Sequence, residues 1–99
     1  MPSAGAPLAT EIAELLARGD SFVLIGDVPS ARVFYERAAN AGDGQAALRL
    51  GATFDPAYLG RATLGGVVSD NAQARLWYQR ARALGEAEAE RQLKRFETK

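Results

Sequence analysis

The sequence predicts an all-α chain, and three observations carry that reading. Apolar residues recur in steps of three and four from Ile12 to Phe96, and strand-like alternation appears nowhere. Glycine, or aspartate with proline, interrupts the pattern at intervals suited to helices of three or four turns. The pattern also repeats. Asp27, Ala31, Arg32, Tyr35, Arg37, Ala38, Gly42, Ala46 and Leu50 return 43 positions later as Asp70, Ala74, Arg75, Tyr78, Arg80, Ala81, Gly85, Ala89 and Leu93. Phe34 returns as Trp77 at the same offset.

The first helix carries Ile12, Leu15, Leu16, Gly19, Phe22 and Val23 on one face, with Thr10 as its expected cap and Gly26-Asp27 as its end. Pro29 then suits the first turn of a second helix with the stripe Ala31, Phe34, Tyr35 and Ala38, ending at Gly42. A third starts after Asp43 and carries Ala47, Leu50, Gly51 and Phe54; Pro56 disfavours helical geometry at Asp55 and so breaks it. A fourth follows Asp70 with Ala74, Trp77, Tyr78 and Ala81 and stops at Gly85. A fifth carries Ala89, Leu93 and Phe96, with acids early and bases late, as the helix dipole favours. The expected spans are about 10–26, 28–41, 43–54, 70–84 and 86–97. Residues 1–9, rich in Pro, Ala and Gly, read as a flexible linker, suggesting that Met1 begins a piece of a longer chain; residues 10–99 form one domain.

The first helices of the two units repeat at a shorter offset. Gly19 to Gly51 and Phe22 to Phe54 are both 32 positions apart, so about eleven extra residues lie between Phe54 and Asp70. Within them Pro56 can open a helical turn with Asp55 as its cap. Two readings of 55–69 follow: Tyr58, Leu59, Leu64 and Val67 fold back onto the core, or some of them form an apolar partner site beside Arg61.

Composition narrows the function classes. The chain is 47% hydrophobic and 24% charged, with 12 basic and 12 acidic residues, so no net field steers it onto nucleic acid or anionic lipid. It has no cysteine and no histidine, which removes thiolate chemistry, the commonest general base and the commonest metal ligand. No apolar run approaches the ~18 residues of a membrane helix. No cofactor is implied, and the compartment is left open.

The residues resemble the tetratricopeptide superfamily, and its Sel-1-like branch in particular. Leu15, Gly19 and Phe22, then Ala31, Tyr35 and Ala38, match the tetratricopeptide pattern, while "ALRLG" at 47–51 and "GVVSDNAQARLWYQRARALG" at 66–85 look more like the Sel-1-like one. The resemblance implies a short α-α superhelix: two antiparallel helix hairpins and a C-terminal capping helix. It implies small residues, Gly19, Gly51, Ala31 and Ala74, where the helices of a hairpin press together. Tyr35, Tyr78, Phe22 and Phe54 would fill the space between hairpins.

Several residue patterns admit a sharper chemistry. Arg18-Gly19-Asp20 spells an adhesion tripeptide and Gly19-Asp20-Ser21 a hydrolase signature, but the periodicity places them inside a helix and no histidine can activate Ser21. Gly19 is read as a packing residue, and no catalytic residue is assigned. Asp20, Asp27, Asp43, Asp55 and Asp70 recur at helix starts or turns, where capping explains them better than a metal does. Arg61, Arg75, Arg80 and Arg82 could bind phosphate or an acidic peptide, but a solvated, internally paired face is the plainer reading.

The expected function is therefore non-enzymatic: a monomeric scaffold or adaptor whose shallow groove binds a protein or peptide, with no nucleic acid and no membrane insertion. The first helix of each hairpin would line that groove. Leu16, Asp20, Val23, Gln45, Leu48 and Arg49 are the groove candidates, with Tyr58 and Arg61 from the extra segment. The alternative is a purely structural segment that caps a longer repeat array.

Overall fold

The computed structural model describes residues 9–61 and 68–97, and the side chains of all of these except Gly60 and Arg61. The described residues form six helices and no strand: α1 (Ala9–Leu24), α2 (Val28–Asn40), α3 (Gly44–Phe54), α4 (Pro56–Arg61), α5 (Asn71–Ala83) and α6 (Ala87–Glu97). Residues 1–8, most of the expected linker, lie outside the described residues, as do Leu64 and Val67.

Three helices end in one way. Gly26, Gly42 and Gly85 have φ of 82°, 97° and 96°, and each is followed by an acid whose N–H reaches five residues back. These bonds run from Asp27 to Phe22 C=O, from Asp43 to Ala38 C=O and from Glu86 to Ala81 C=O, at 2.8, 3.1 and 3.0 Å. A left-handed glycine closing a helix in this manner satisfies carbonyls that would otherwise lack donors. The turn's aspartate then starts the next helix. Asp27 accepts from Ser30 N–H and Asp43 from Ala46 N–H, while Asp70 does the same for Gln73 ahead of α5.

The longer helices pack in chain order, α1 on α2, α2 on α3, α3 on α5 and α5 on α6, with the short α4 against α3. The core between them is made of small residues around a few rings. Ala31, Tyr35, Ala38 and Ala39 meet Ala46, Ala47, Leu50, Trp77, Ala81 and Ala89, and a second cluster joins Ala74, Tyr78 and Leu93. The molecule is a slab 48 × 29 × 17 Å, about two helix diameters thin. It has a helical-repeat-like character: Ala31, Tyr35 and Ala38 are buried on α2, and Ala74, Tyr78 and Ala81, 43 positions later, are buried on α5.

The glycines explain the closest approaches. A Cβ at Gly51 would lie 2.7–2.8 Å from ring atoms of Tyr78, and one at Gly19 would collide with the ring of Tyr35. Each tyrosine ring therefore packs directly on the glycine of the helix it pairs with, and Tyr35 also joins the cluster with Ala46, Ala47 and Leu50 of α3. Phe22 stacks on Phe34 with ring centroids 5.5 Å apart.

Other differences are local. α1 stops at Leu24, because Gly26 turns left-handed before the helix can continue. Thr10 lies inside α1 and is not its cap. The expected turn at Pro56 becomes a sixth helix, opened by Asp55, whose carboxylate accepts the Ala57 N–H at 3.0 Å. The extra segment leaves and returns at one point, since Asp70 N–H donates to Phe54 C=O at 2.8 Å. The ends of the segment thus meet, and α3 packs directly on α5.

Candidate functional site

Two adjoining recesses mark one side of the slab. The first, about 400 Å³, is lined by Asp20, Val23 and Leu24 of α1, Tyr35 of α2, Arg49, Ala52 and Thr53 of α3, and Tyr58 of α4. The second, about 210 Å³, is bounded by Leu48, Arg49, Ala52 and Asp55, with Tyr58, Tyr78, Glu88 and Gln92 around it. Arg49, Ala52 and Tyr58 belong to both, so the recesses run into each other across α3.

Polar latches hold the floor in shape. In the first recess Tyr35 Oη donates to Asp20 Oδ1, and Arg49 Nη1 bonds Asp20 Oδ2 at 2.8 Å. Asp20 and Arg49 keep 48% and 36% of their side chains exposed, so water screens this pair. In the second, Tyr78 Oη donates to Asp55 Oδ2 at 2.7 Å and Arg95 Nη2 bonds the same oxygen. The Asp55 side chain is 2% exposed.

The protonation energetics follow from that burial. Burial opposes the charge on Asp55, but hydrogen bonds from Arg95, Tyr78 and the Ala57 N–H outweigh it and hold the carboxyl below its usual value. Burial, then the neighbouring aspartate, pushes the phenols of Tyr35 and Tyr78 well above theirs. All three groups keep their neutral-pH states, and none is tuned as an acid or base for pH 7 chemistry.

Of the candidates named from sequence, Asp20, Val23, Arg49 and Tyr58 line the first recess, and Leu48 joins Arg49 and Tyr58 in the second. Leu16 instead packs against the core, and Gln45 donates to Glu86 Oε2 at 2.7 Å away from the recesses. The Arg61 side chain lies outside the described residues. Asp20 is no cap; it sits in the body of α1 as the acceptor for Tyr35 and Arg49. Tyr58 and Leu59 are only half-buried and Val68 is exposed, so neither side chain of α4 enters the core fully. Ser21 Oγ donates back to Ala17 C=O at 3.0 Å.

Ala52, Gln92 and Glu88 were missed, although the internal repeat contained them. Ala52 stands 32 positions after Asp20, while Gln92 and Glu88 stand 43 after Arg49 and Gln45. Leu24 was missed because it follows the stripe by one residue; it is 87% exposed at the rim.

The arginines divide. Arg80 lies 4.7 Å from the Trp77 ring centroid, Arg82 faces Glu90 at 3.6 Å, and Arg75 lies 5.6 Å from the Phe96 centroid. Among the described residues no group of three or more metal-ligating side chains occurs, and no helix is long and apolar enough to cross a membrane. No family model, curated protein or solved structure matches the chain.

Proposed function

We propose that the protein is a small helical-repeat interaction module, resembling tetratricopeptide and Sel-1-like hairpins, that seats a peptide or protein segment along the two joined recesses. The observation that carries this reading is their continuity across Arg49, Ala52 and Tyr58. Its charged groups, Asp20 with Arg49, Asp55 with Arg95 and Glu88 with Arg91, are satisfied internally. An apolar or neutral segment suits such a lining, because no unpaired charge must be desolvated.

The two outer helices differ in polarity from the inner ones. Ala46, Ala47 and Leu50 of α3 are buried in the cluster that includes α2. Their counterparts 32 positions earlier in α1 are Glu14, Leu15 and Arg18, two of them charged and exposed. At the other end, the place held by Gly19 and Gly51 falls to Lys94, a side chain too large for a tyrosine ring to lie on. Polar outer faces of this kind terminate a stack of repeats.

Peptide display tests the proposal. Peptides enriched on the wild-type protein should be released by Ala52→Trp, which fills both recesses, and by Tyr58→Ala, each variant melting as a folded protein. Enrichment that ignores both substitutions would remove the groove from the mechanism.

A further inference from the structure

A second surface lies outside the joined recesses, between α5 and α6. Arg75, Gln79 and Arg82 follow one another at steps of four and three along α5 and therefore share a face. With Leu93, Phe96 and Glu97 of α6 they line a recess of about 250 Å³. The helix α5 carries three arginines and no acid within its span.

The internal repeat shows what is missing there. Arg75 is the counterpart of Arg32, 43 positions earlier. Arg32 lies 3.9 Å from the Phe54 ring centroid, and its guanidinium donates to Thr53 Oγ1 at 3.2 Å, to Thr53 C=O at 2.5 Å and to Val68 C=O at 3.2 Å. Arg75 likewise lies near an aromatic ring, that of Phe96. Among the described residues, however, no oxygen accepts from it. Its neighbour Arg82 has only the long, half-exposed contact with Glu90, which is easily exchanged. Two guanidiniums and an amide thus present planar donors in a mainly polar recess, with the half-buried Phe96 ring at its edge. Carboxylates match such donors in pairs.

We infer that this α5–α6 face binds an acidic peptide segment, its carboxylates accepting from Arg75 and Arg82 and an adjacent apolar side chain resting on Phe96. Glu97 borders the same recess and competes with the incoming carboxylate. The surface is separate from the groove above, so either can fail without the other.

Fluorescence anisotropy with a short labelled peptide of alternating glutamate and leucine tests it, against a twin carrying glutamine for glutamate. The acidic peptide should bind more tightly than the twin, and rising salt should weaken it. Arg75→Gln and Arg82→Gln should each lower its affinity about tenfold, the loss of one charge-assisted contact apiece. Glu97→Gln should raise the affinity, an outcome that misfolding cannot imitate. Ala52→Trp should leave it unchanged. Equal binding of the twin, no gain with Glu97→Gln, or an equal loss with Arg18→Gln at the far end of the molecule would each overturn the assignment.

Discussion

Around Tyr35 and Tyr78 the molecule builds one arrangement twice, in different water. Each ring lies over a glycine, each phenol donates to an aspartate, and an arginine from the next helix in the packing order closes the group. The rings are 43 positions apart, as the repeat requires. The ion pairs are not at repeat positions. Asp20 and Arg49 would be expected to return as Ala52 and Gln92, but the charges stand three residues later, at Asp55 on the C-cap of α3 and Arg95 on α6. Both partners have moved by about one turn together, so the pairing survives. What changes is solvation: the first aspartate is half-exposed, and the second, bonded to Tyr78 and to Arg95 of α6, is buried. A latch can thus be copied in chemistry while its exposure to water differs.

The sharpest test of that difference removes each aspartate. Asp55→Ala leaves the Tyr78 hydroxyl without its acceptor and Arg95 without its partner, and should cost about 2–4 kcal/mol in urea unfolding. Asp20→Ala should cost about 1 kcal/mol or less, because water replaces what is lost. Equal losses would break the comparison.

The glycines should behave alike, since both meet a ring. Gly19→Ala and Gly51→Ala should each destabilise by about 1–3 kcal/mol through overpacking, read from thermal melts. A neutral result at either would show that the tyrosine gives way freely there.

The pH profile sharpens the contrast further. The folded Asp55 carboxyl is held below its ordinary value, so its stabilisation is present above about pH 4 and drains away as pH falls through the folded value. Asp55→Asn should flatten the acid limb of the stability curve. On the alkaline side both phenols are raised, so their contribution is intact below about pH 10 and lost as pH climbs through the folded values. Tyr78→Phe should therefore reduce the alkaline loss.

Salt gives the smallest expected effect. Arg49→Gln should cost about 0.5 kcal/mol at low ionic strength and nothing measurable in strong salt. A salt-independent loss would mean that Arg49 acts through packing.

Much of this was legible in the sequence because the determinants are local. Gly26, Gly42 and Gly85 and the acids after them announce the turns, and the offsets of 43 and 32 identify which residues meet like neighbours. Tyr58 at the site could be anticipated because Pro56 fixes where a helical turn begins. The Asp55–Arg95 pair could not, because a repeat alignment looks for the same residue at the same position and here the charges have slipped a turn. Nor does periodicity tell which arginine on α5 reaches a ring, a carboxylate or open solvent; that depends on how α6 lies across it.

The chain has a single tryptophan, and it stands where α5 joins the cluster of α2 and α3, 6% exposed with the Arg80 guanidinium near its ring. Its emission is therefore a built-in optical gauge of the central junction. Opening that junction brings water to the indole and withdraws the cation together, so intensity and wavelength should shift in step. Fraying of α1 alone leaves the indole where it is and stays dark to this gauge.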